Sequence, residues 1–365
     1  MIVMAGIHGN EPAGVLASER VLARIDGEGI EVRGNFIAIA GNLKALSERT
    51  RYVDTDLNRA WTLGRVAALD DPALDDAEAA EQREVLHLIR EQVNNASGEV
   101  YFLDLHTTSA ASCPFVTVGD TLRNREFARS FPLPLILGLE EQVDGALLEY
   151  LNNFGLITMG AEAGQHDSDG SVDCAEALLW LALRRAGLVP SDPAEERVFA
   201  ELLREASRGV PPVVEVRHRH PVNDDDEFRM QPGYDNFAPV GQDEVVAHDR
   251  RGDVRSPESG LMLLPLYQGK GDDGFFIARP VHMLWLRLSG LIRRHRRPGR
   301  GFMHWLPGVH RGEDRVELIV DKHVARWFPL EFFHLLGYRK RREDGDTLVV
   351  TRRAFDYEGP EKLRI

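Results

Sequence analysis

The stretch GIHGNEPAG, residues 6–14, carries a histidine and a glutamate three positions apart, directly after the apolar run IVMA. Gly9 permits a tight turn, and Pro12 can open a helix because its missing N–H falls where no intrahelical partner exists. On spacing alone, His8 and Glu11 are either two metal ligands or an ordinary surface pair or helix cap. A second histidine changes the balance. His106 in FLDLHTT closes a run of apolar residues and stands two positions after the acidic Asp104. His, Glu and His is the ligand count of a catalytic zinc site, with a fourth position left for water. Zinc lowers the pKa of such a water to about 7, so hydroxide forms at neutral pH.

Hydrolysis then needs a group that takes the proton of the water and hands it to the leaving nitrogen. Glu162 in ITMGAEAGQH ends an apolar strand among small residues, where a carboxylate is costly without a partner or a task. Its competing role is to cap the helix that begins near Ser171. The loop TRYVDTDLNRAW, residues 50–61, supplies Arg51, Asn58 and Arg59. A guanidinium fork binds a carboxylate through two parallel hydrogen bonds, and an asparagine amide can add a third. A second arginine can stabilise an oxyanion on the scissile carbonyl. Read bare, DLNR is also compatible with a solvated turn. His166 and Asp167 lie near Glu162 and read as a solvated loop. His218 and His220 share one face of a strand that reads as solvent-facing.

These residues have to be delivered by folded elements. IVMAGI, FIAIAG, VYFLDLH and LITMGAEA are short apolar runs bounded by turn signals, and they read as buried strands. EPAGVLASERVLARI, AEAAEQREVLHLIREQV and VDCAEALLWLALRRAG carry helical spacing. Alternating strands and helices imply an α/β fold whose mostly parallel or mixed sheet is covered by helices on both faces. One more helix, in SDPAEERVFAELLREASRG, closes this part. Past it the texture changes to short β-like runs split by Gly, Pro and Asp, which suggests a smaller β-rich domain. MLWLRLSGLIRRHRR then reads as a basic helix, and the segment from RVELIV to LVVTRR as strand–helix–strand with EDGD as its last turn. The divisions expected are 1–208 for an α/β catalytic domain, 209–280 for a β-rich domain and 281–365 for a basic extension.

Composition narrows the class of function. The 365 residues are 43% hydrophobic and 28% charged, with a net charge of −14, which argues against nucleic acid as a partner. No apolar run approaches the roughly 20 residues that a membrane span requires. The opening MIVMAGIHGN lacks a basic flank, and two cysteines make no disulfide framework, so a reducing cytoplasm is the expected location. Residues 281–365 hold 18 Lys/Arg against 11 Asp/Glu, which leaves the preceding part of the chain at −21. Such asymmetry favours docking of the basic extension on an acidic body, or a contact between subunits of a homo-oligomer, over an anion-binding role for LIRRHRRPGR.

GIHGNEPAG, TRYVDTDLNRAW, FLDLHTTS and EAGQH, in that order, resemble the succinylglutamate desuccinylase and aspartoacylase family of the zinc carboxypeptidase-like superfamily. The resemblance covers about residues 1–280, since the stretch ending SGLMLLPLYQGKGDDGFFIARPV is similar to the family's C-terminal β domain. It implies that His8, Glu11 and His106 hold one zinc ion per chain. It also implies that Glu162 is general base and acid, that Arg51 polarises the carbonyl, and that Asn58 and Arg59 grip a substrate carboxylate. The activity implied is hydrolysis of the amide of a small N-acylated amino acid or related amine. A metallocarboxypeptidase acting on peptide C-termini, and an inactive binding protein of the same fold, are the alternatives. The chain opens inside its first strand, where the family carries an earlier strand or hairpin, so either a sheet edge is missing or the start lies upstream. The last 85 or so residues match nothing in the family pattern.

Overall fold

The structure is a computed structural model, and it describes residues 1–295, 309–311, 317–321, 336–344, 347–353, 355–356, 358–360, 362 and 365. Strand β1 (Ile2–Ala5) runs through the GIHGNE turn into helix α1 (Ala13–Glu28), and β2 (Ile37–Ala40) leads to α2 (Leu43–Glu48). The DLNR motif forms a single 3-10 turn (Leu57–Arg59) before α3 (Leu63–Ala67) and α4 (Ala77–Asn95). Next come β3 (Tyr101–Thr108), β4 (Phe115–Thr117), α5 (Leu122–Ala128), β5 (Leu135–Leu137), α6 (Leu147–Asn152), β6 (Ile157–Gln165) and α7 (Asp169–Arg185). Helix α8 (Pro193–Ala206) precedes β7 (Val213–Pro221), β8 (Arg229–Met230), β9 (Pro239–Val240), β10 (Val245–Asp249), β11 (Gly252–Arg255), β12 (Gly260–Leu263) and β13 (Asp273–Pro280). The extension adds α9 (Met283–His295), β14 (Val309–Arg311), β15 (Glu317–Asp321), β16 (Tyr338–Asp344) and β17 (Thr347–Arg352). The helix expected between LIV and LGYRK falls on 322–335, outside the described residues.

One ten-stranded mixed sheet, ordered β2-β1-β3-β6-β4-β5-β7-β13-β12-β9, organises the body. Strands β2, β1, β3 and β6 pair in parallel, β4 runs antiparallel to β6, and β7 joins β5 in parallel and β13 antiparallel. The β-rich stretch therefore prolongs the main sheet through β7, β13, β12 and β9, while β11-β10-β8 forms a separate sheet and the extension adds a third, β14-β15-β17-β16. Alternation along the strands feeds two cores, because successive side chains point to opposite faces. Val3, Ala5, Leu103, Leu105 and Met159 pack with Val21, Leu179 and Trp180 of α1 and α7. Ile2, Met4 and Phe102 face the other way, against Trp61 and the α4 residues Val85, Leu86 and Ile89.

Two glycines bring the first loop close to its neighbours. A Cβ at Gly14 would sit 2.7 Å from Leu105 Cβ, so only glycine lets α1 lie this near β3. A Cβ at Gly9 would lie 2.0 Å from the Ala45 carbonyl carbon, which wedges the His8–Glu11 turn against α2.

The basic extension is tied to the acidic body by buried ion pairs. Arg293 of α9 has a fully buried side chain and bonds Asp356 through Nε at 2.9 Å and Asp120 at 3.2 Å. Arg125 pairs with the same Asp120, whose carboxyl is held well below its ordinary range. Burial pushes that pKa up, and the arginines more than offset it. Arg353 bonds Glu140 at 2.8 Å and also Glu141. Removing one partner of such a cluster strands a charge in low dielectric. Arg293→Met should therefore lower the free energy of unfolding by about 3–5 kcal/mol, read by urea titration of the full chain. A loss below about 1 kcal/mol would mean that the cluster behaves as an ordinary surface set.

Candidate metal centre

The three candidate ligands converge. One donor atom each from His8, Glu11 and His106 lies within 4.8 Å of the others. Glu11 Oε1 is 2.9 Å from His8 Nδ1, and Glu11 Oε2 is 3.1 Å from His106 Nδ1, so one carboxylate faces both imidazoles. His8 and Glu11 are only 3% and 2% exposed, and their turn is closed by the Glu11 N–H donating to the His8 carbonyl at 3.1 Å. The Thr107 N–H adds a 3.0 Å bond to Glu11 Oε2. Parallel β1 and β3 both end here, which is where open α/β sheets form their crevices.

Each imidazole has a carboxylate behind it. Asp56 Oδ1 lies 3.1 Å from His8 Nε2, and Asp104 Oδ2 lies 3.1 Å from His106 Nε2. Outer carboxylates of this kind fix the tautomer and raise the basicity of a ligating nitrogen. Asp56 is itself clamped by the Arg51 Nε and NH2 groups at 3.2 and 3.0 Å and by the Asn58 N–H at 2.8 Å. Burial would raise the Asp56 pKa, yet His8 and Arg51 hold its carboxyl well below the ordinary range. Burial likewise opposes the charged form of His106, but Asp104 and Glu11 carry its pKa well above the usual histidine value. The donor set, its enclosure and its outer carboxylates fit a divalent cation, bound through Nδ1 of both histidines and the Glu11 carboxylate.

Glu162 is the direct register partner of His106, so the two side chains stand side by side on one face of the β3–β6 pair. Its Oε2 is buried and has no hydrogen-bond partner among the described residues. Burial pushes its carboxyl up to about 8, against the pull of His106 and with the push of Glu11 and Asp104. All seven residues singled out from the sequence, His8, Glu11, Arg51, Asn58, Arg59, His106 and Glu162, line one cavity. Their present partners differ. Arg51 is turned to Asp56, with its NH1 3.7 Å from Glu11. Asn58 Oδ1 accepts the Leu147 N–H at 3.0 Å. Arg59 NH2 donates to Asp273 at 2.7 Å, while its Nε is buried with no hydrogen-bond partner among the described residues.

Several wall residues carried little signal in the sequence. His166 is part of the cavity, with Nδ1 2.8 Å from the Thr107 hydroxyl, whereas Asp167 is exposed as a solvated loop residue would be. Gln268 approaches from the β-rich segment, accepts from Asn10 at 2.9 Å and lies 3.4 Å from His166 Nε2. Together with Gly271, Asp272 and Asp273 it makes that segment one wall of the site. Asp56 was the hardest to foresee, since it meets His8 across 48 positions of sequence. His218 and His220 pack on Phe275, with the His220 ring stacked at 5.0 Å, and belong to no three-residue ligand group among the described residues.

A mixed sheet with helices on both faces and a His–Glu–His cluster at its parallel strand ends sets this chain among carboxypeptidase-like α/β folds. Residues 1–178 match the family model of the succinylglutamate desuccinylase/aspartoacylase catalytic domain. The chain is 31% identical over 133 residues to a succinylglutamate desuccinylase of Photorhabdus laumondii, covering 36% of this chain and 40% of that protein. It is 31% identical over 109 residues to one from Pseudoalteromonas atlantica, covering 29% and 31%. The chain thus spans less than half the length of the curated relatives it matches. Among solved structures it is similar to succinylglutamate desuccinylase from Vibrio parahaemolyticus, with a TM-score of 0.56 and 18% identity over 77% of this chain and 81% of that one. It is also similar to murine aminoacylase 3, with a TM-score of 0.51 and 19% identity over 77% and 94%. Among the described residues no helix is long and apolar enough to cross a membrane.

Because Asp56 orients His8 without touching the ion site itself, Asp56→Ala should weaken metal affinity by about 10–100-fold. Chelator competition on the purified variant reads this directly. Unchanged affinity would remove Asp56 from the centre.

Proposed function

We propose that this protein is a zinc-dependent deacylase that hydrolyses the amide of a small N-acylated amino acid or related amine. One observation carries the reading: donor atoms of His8, Glu11 and His106 converge while Glu162, the register partner of His106, keeps a buried carboxylate oxygen with no hydrogen-bond partner among the described residues. Zinc at His8, Glu11 and His106 would supply Lewis acidity and a water of near-neutral pKa.

The chain's own groups do the rest. Glu162 is placed to take a proton from the attacking water and return it to the departing nitrogen. Burial raises this carboxyl to about 8, and a bound cation would lower it again and favour the carboxylate form that accepts the proton. Arg51, whose NH1 lies 3.7 Å from Glu11 in the same cavity, is the group proposed to stabilise charge on the scissile carbonyl. Arg59 Nε, which makes no hydrogen bond among the described residues, is the proposed donor to a substrate carboxylate, and the Asn58 NH2 group can join it. Leu139, Val143, Leu148 and Phe276 give the cavity apolar walls.

Glu162→Gln should retain stoichiometric zinc and lose at least about 10²–10⁴-fold in kcat on the preferred N-acylated amino acid, because it removes the proton carrier and no ligand. His106→Ala should lose metal and turnover together. A panel of N-acetyl, N-succinyl and N-formyl amino acids beside C-terminal peptides gives the decisive comparison. Turnover of peptides alone would replace the deacylase reading with a carboxypeptidase one.

A further inference from the structure

The cavity continues past the reacting centre. It follows the β4–β6 pair from Glu162 over Gly160 and Thr117 to Val118, Gly119, Leu139 and Leu148, an arm with largely apolar walls. At about 3.3 Å per strand residue, the three steps from Phe115, which faces Glu162, to Val118 span about 10 Å. Glu140 is the charged side chain at this far end.

Glu140 is almost wholly enclosed, with 7% of its side chain exposed. Its Oε1 accepts the Asp120 N–H at 3.2 Å and the Arg353 NH1 at 2.8 Å. Its Oε2 is buried with no hydrogen-bond partner among the described residues. The same Arg353 also bonds Glu141, and Asp120 lies close by. Burial raises the Glu140 pKa, Arg353 opposes this, and Glu141 and Asp120 add to it. Glu140 is a lining residue of the cavity, and a buried acceptor left unmade is costly, so a ligand donor that reaches Oε2 relieves that cost.

We propose that Glu140 is a specificity-determining residue whose free Oε2 receives a primary ammonium at the far end of the N-acylated substrate, with Arg353 of the C-terminal extension fixing the carboxylate in place. This deepens the deacylase reading and rests on it. The apolar walls take the methylene stem, as they do for buried lysine stems, and the ammonium supplies the missing donor. A carboxylate-ended substrate meets like charge at this point, and a methyl-ended one leaves Oε2 unpaired. The ammonium can sit on the amine half, as in an N-acylated diamino acid, or on the acyl half, as in an ω-aminoacyl amide.

The test uses the full chain with zinc bound and the Glu162→Gln change, so that ligands stay intact. Calorimetry compares N-acetyl-lysine and its shorter homologues with N-acetyl-norleucine and N-acetyl-glutamate. A second arm compares ω-aminoacyl amides with their alkanoyl counterparts and shows which half carries the ammonium. In one arm the ammonium ligand should bind at least about tenfold tighter than its methyl isostere. Adding Glu140→Gln should shrink that ratio to within about threefold, Arg353 retaining Glu141 as partner. The ligand series without the Glu140 change stands alone should that variant misfold. Tighter binding of the methyl- or carboxylate-ended ligands, or a ratio untouched by Glu140→Gln, overturns the proposal. Hydrolysis of the same compounds by the unaltered chain reports separately. Ammonium preference without turnover would sink the deacylase reading and spare this one, and turnover without preference would do the reverse.

Discussion

The structure depends on one carboxylate shared between two imidazoles. Glu11 approaches His8 and His106 with separate oxygens, in a place that is nearly sealed from water. Burying a carboxylate costs several kcal/mol unless charge and hydrogen bonds answer it. Here the answer comes from two histidines and the Thr107 N–H, and the histidines are answered in turn by Asp56 and Asp104. Arg51 closes the chain of dependence behind Asp56. Carboxylates alternate with nitrogen-bearing side chains through the group.

The fold exists to bring these groups together from distant parts of the chain. Parallel β1 and β3 end at one level, and their neighbour β6 sets Glu162 beside His106 by register alone. Gly14 lets α1 lie close to β3, which brings Glu11 over His106. The β-rich segment is built into the same sheet, and from there its loop covers the site with Gln268 and Asp273. The extension lies outside the matched family domain, yet it reaches the cavity through Arg353 and Glu140. Arg293 and Arg353 of the extension pair with the buried Asp120, Glu140 and Glu141 of the body.

Much of this could be read from the sequence where the signal is local. The apolar run before His8, the proline after Glu11 and the helical spacing of α4 and α7 depend only on near neighbours. The stretch between β3 and β6 was not readable in this way. Its strands β4 and β5 have three residues each, too few for any periodicity to show. Asp56 looked like one more acid in a polar loop because its partner lies 48 positions away. LIRRHRR read as a basic segment docked on an acidic body or a subunit contact, but nothing local singled out Arg293, whose burial follows from Asp120 and Asp356. His166 read as a loop residue because the Thr107 and Gln268 contacts that place it are tertiary.

The central claim is that His8, Glu11 and His106 form a single-ion zinc centre. X-ray absorption at the zinc edge, on protein dialysed to constant metal content, addresses it most directly. The account predicts one zinc per chain in a shell of two imidazole nitrogens and light oxygen ligands, at about 2.0–2.1 Å for the nitrogens. A substoichiometric metal content, or a shell containing sulfur from Cys113 or Cys174, would contradict it.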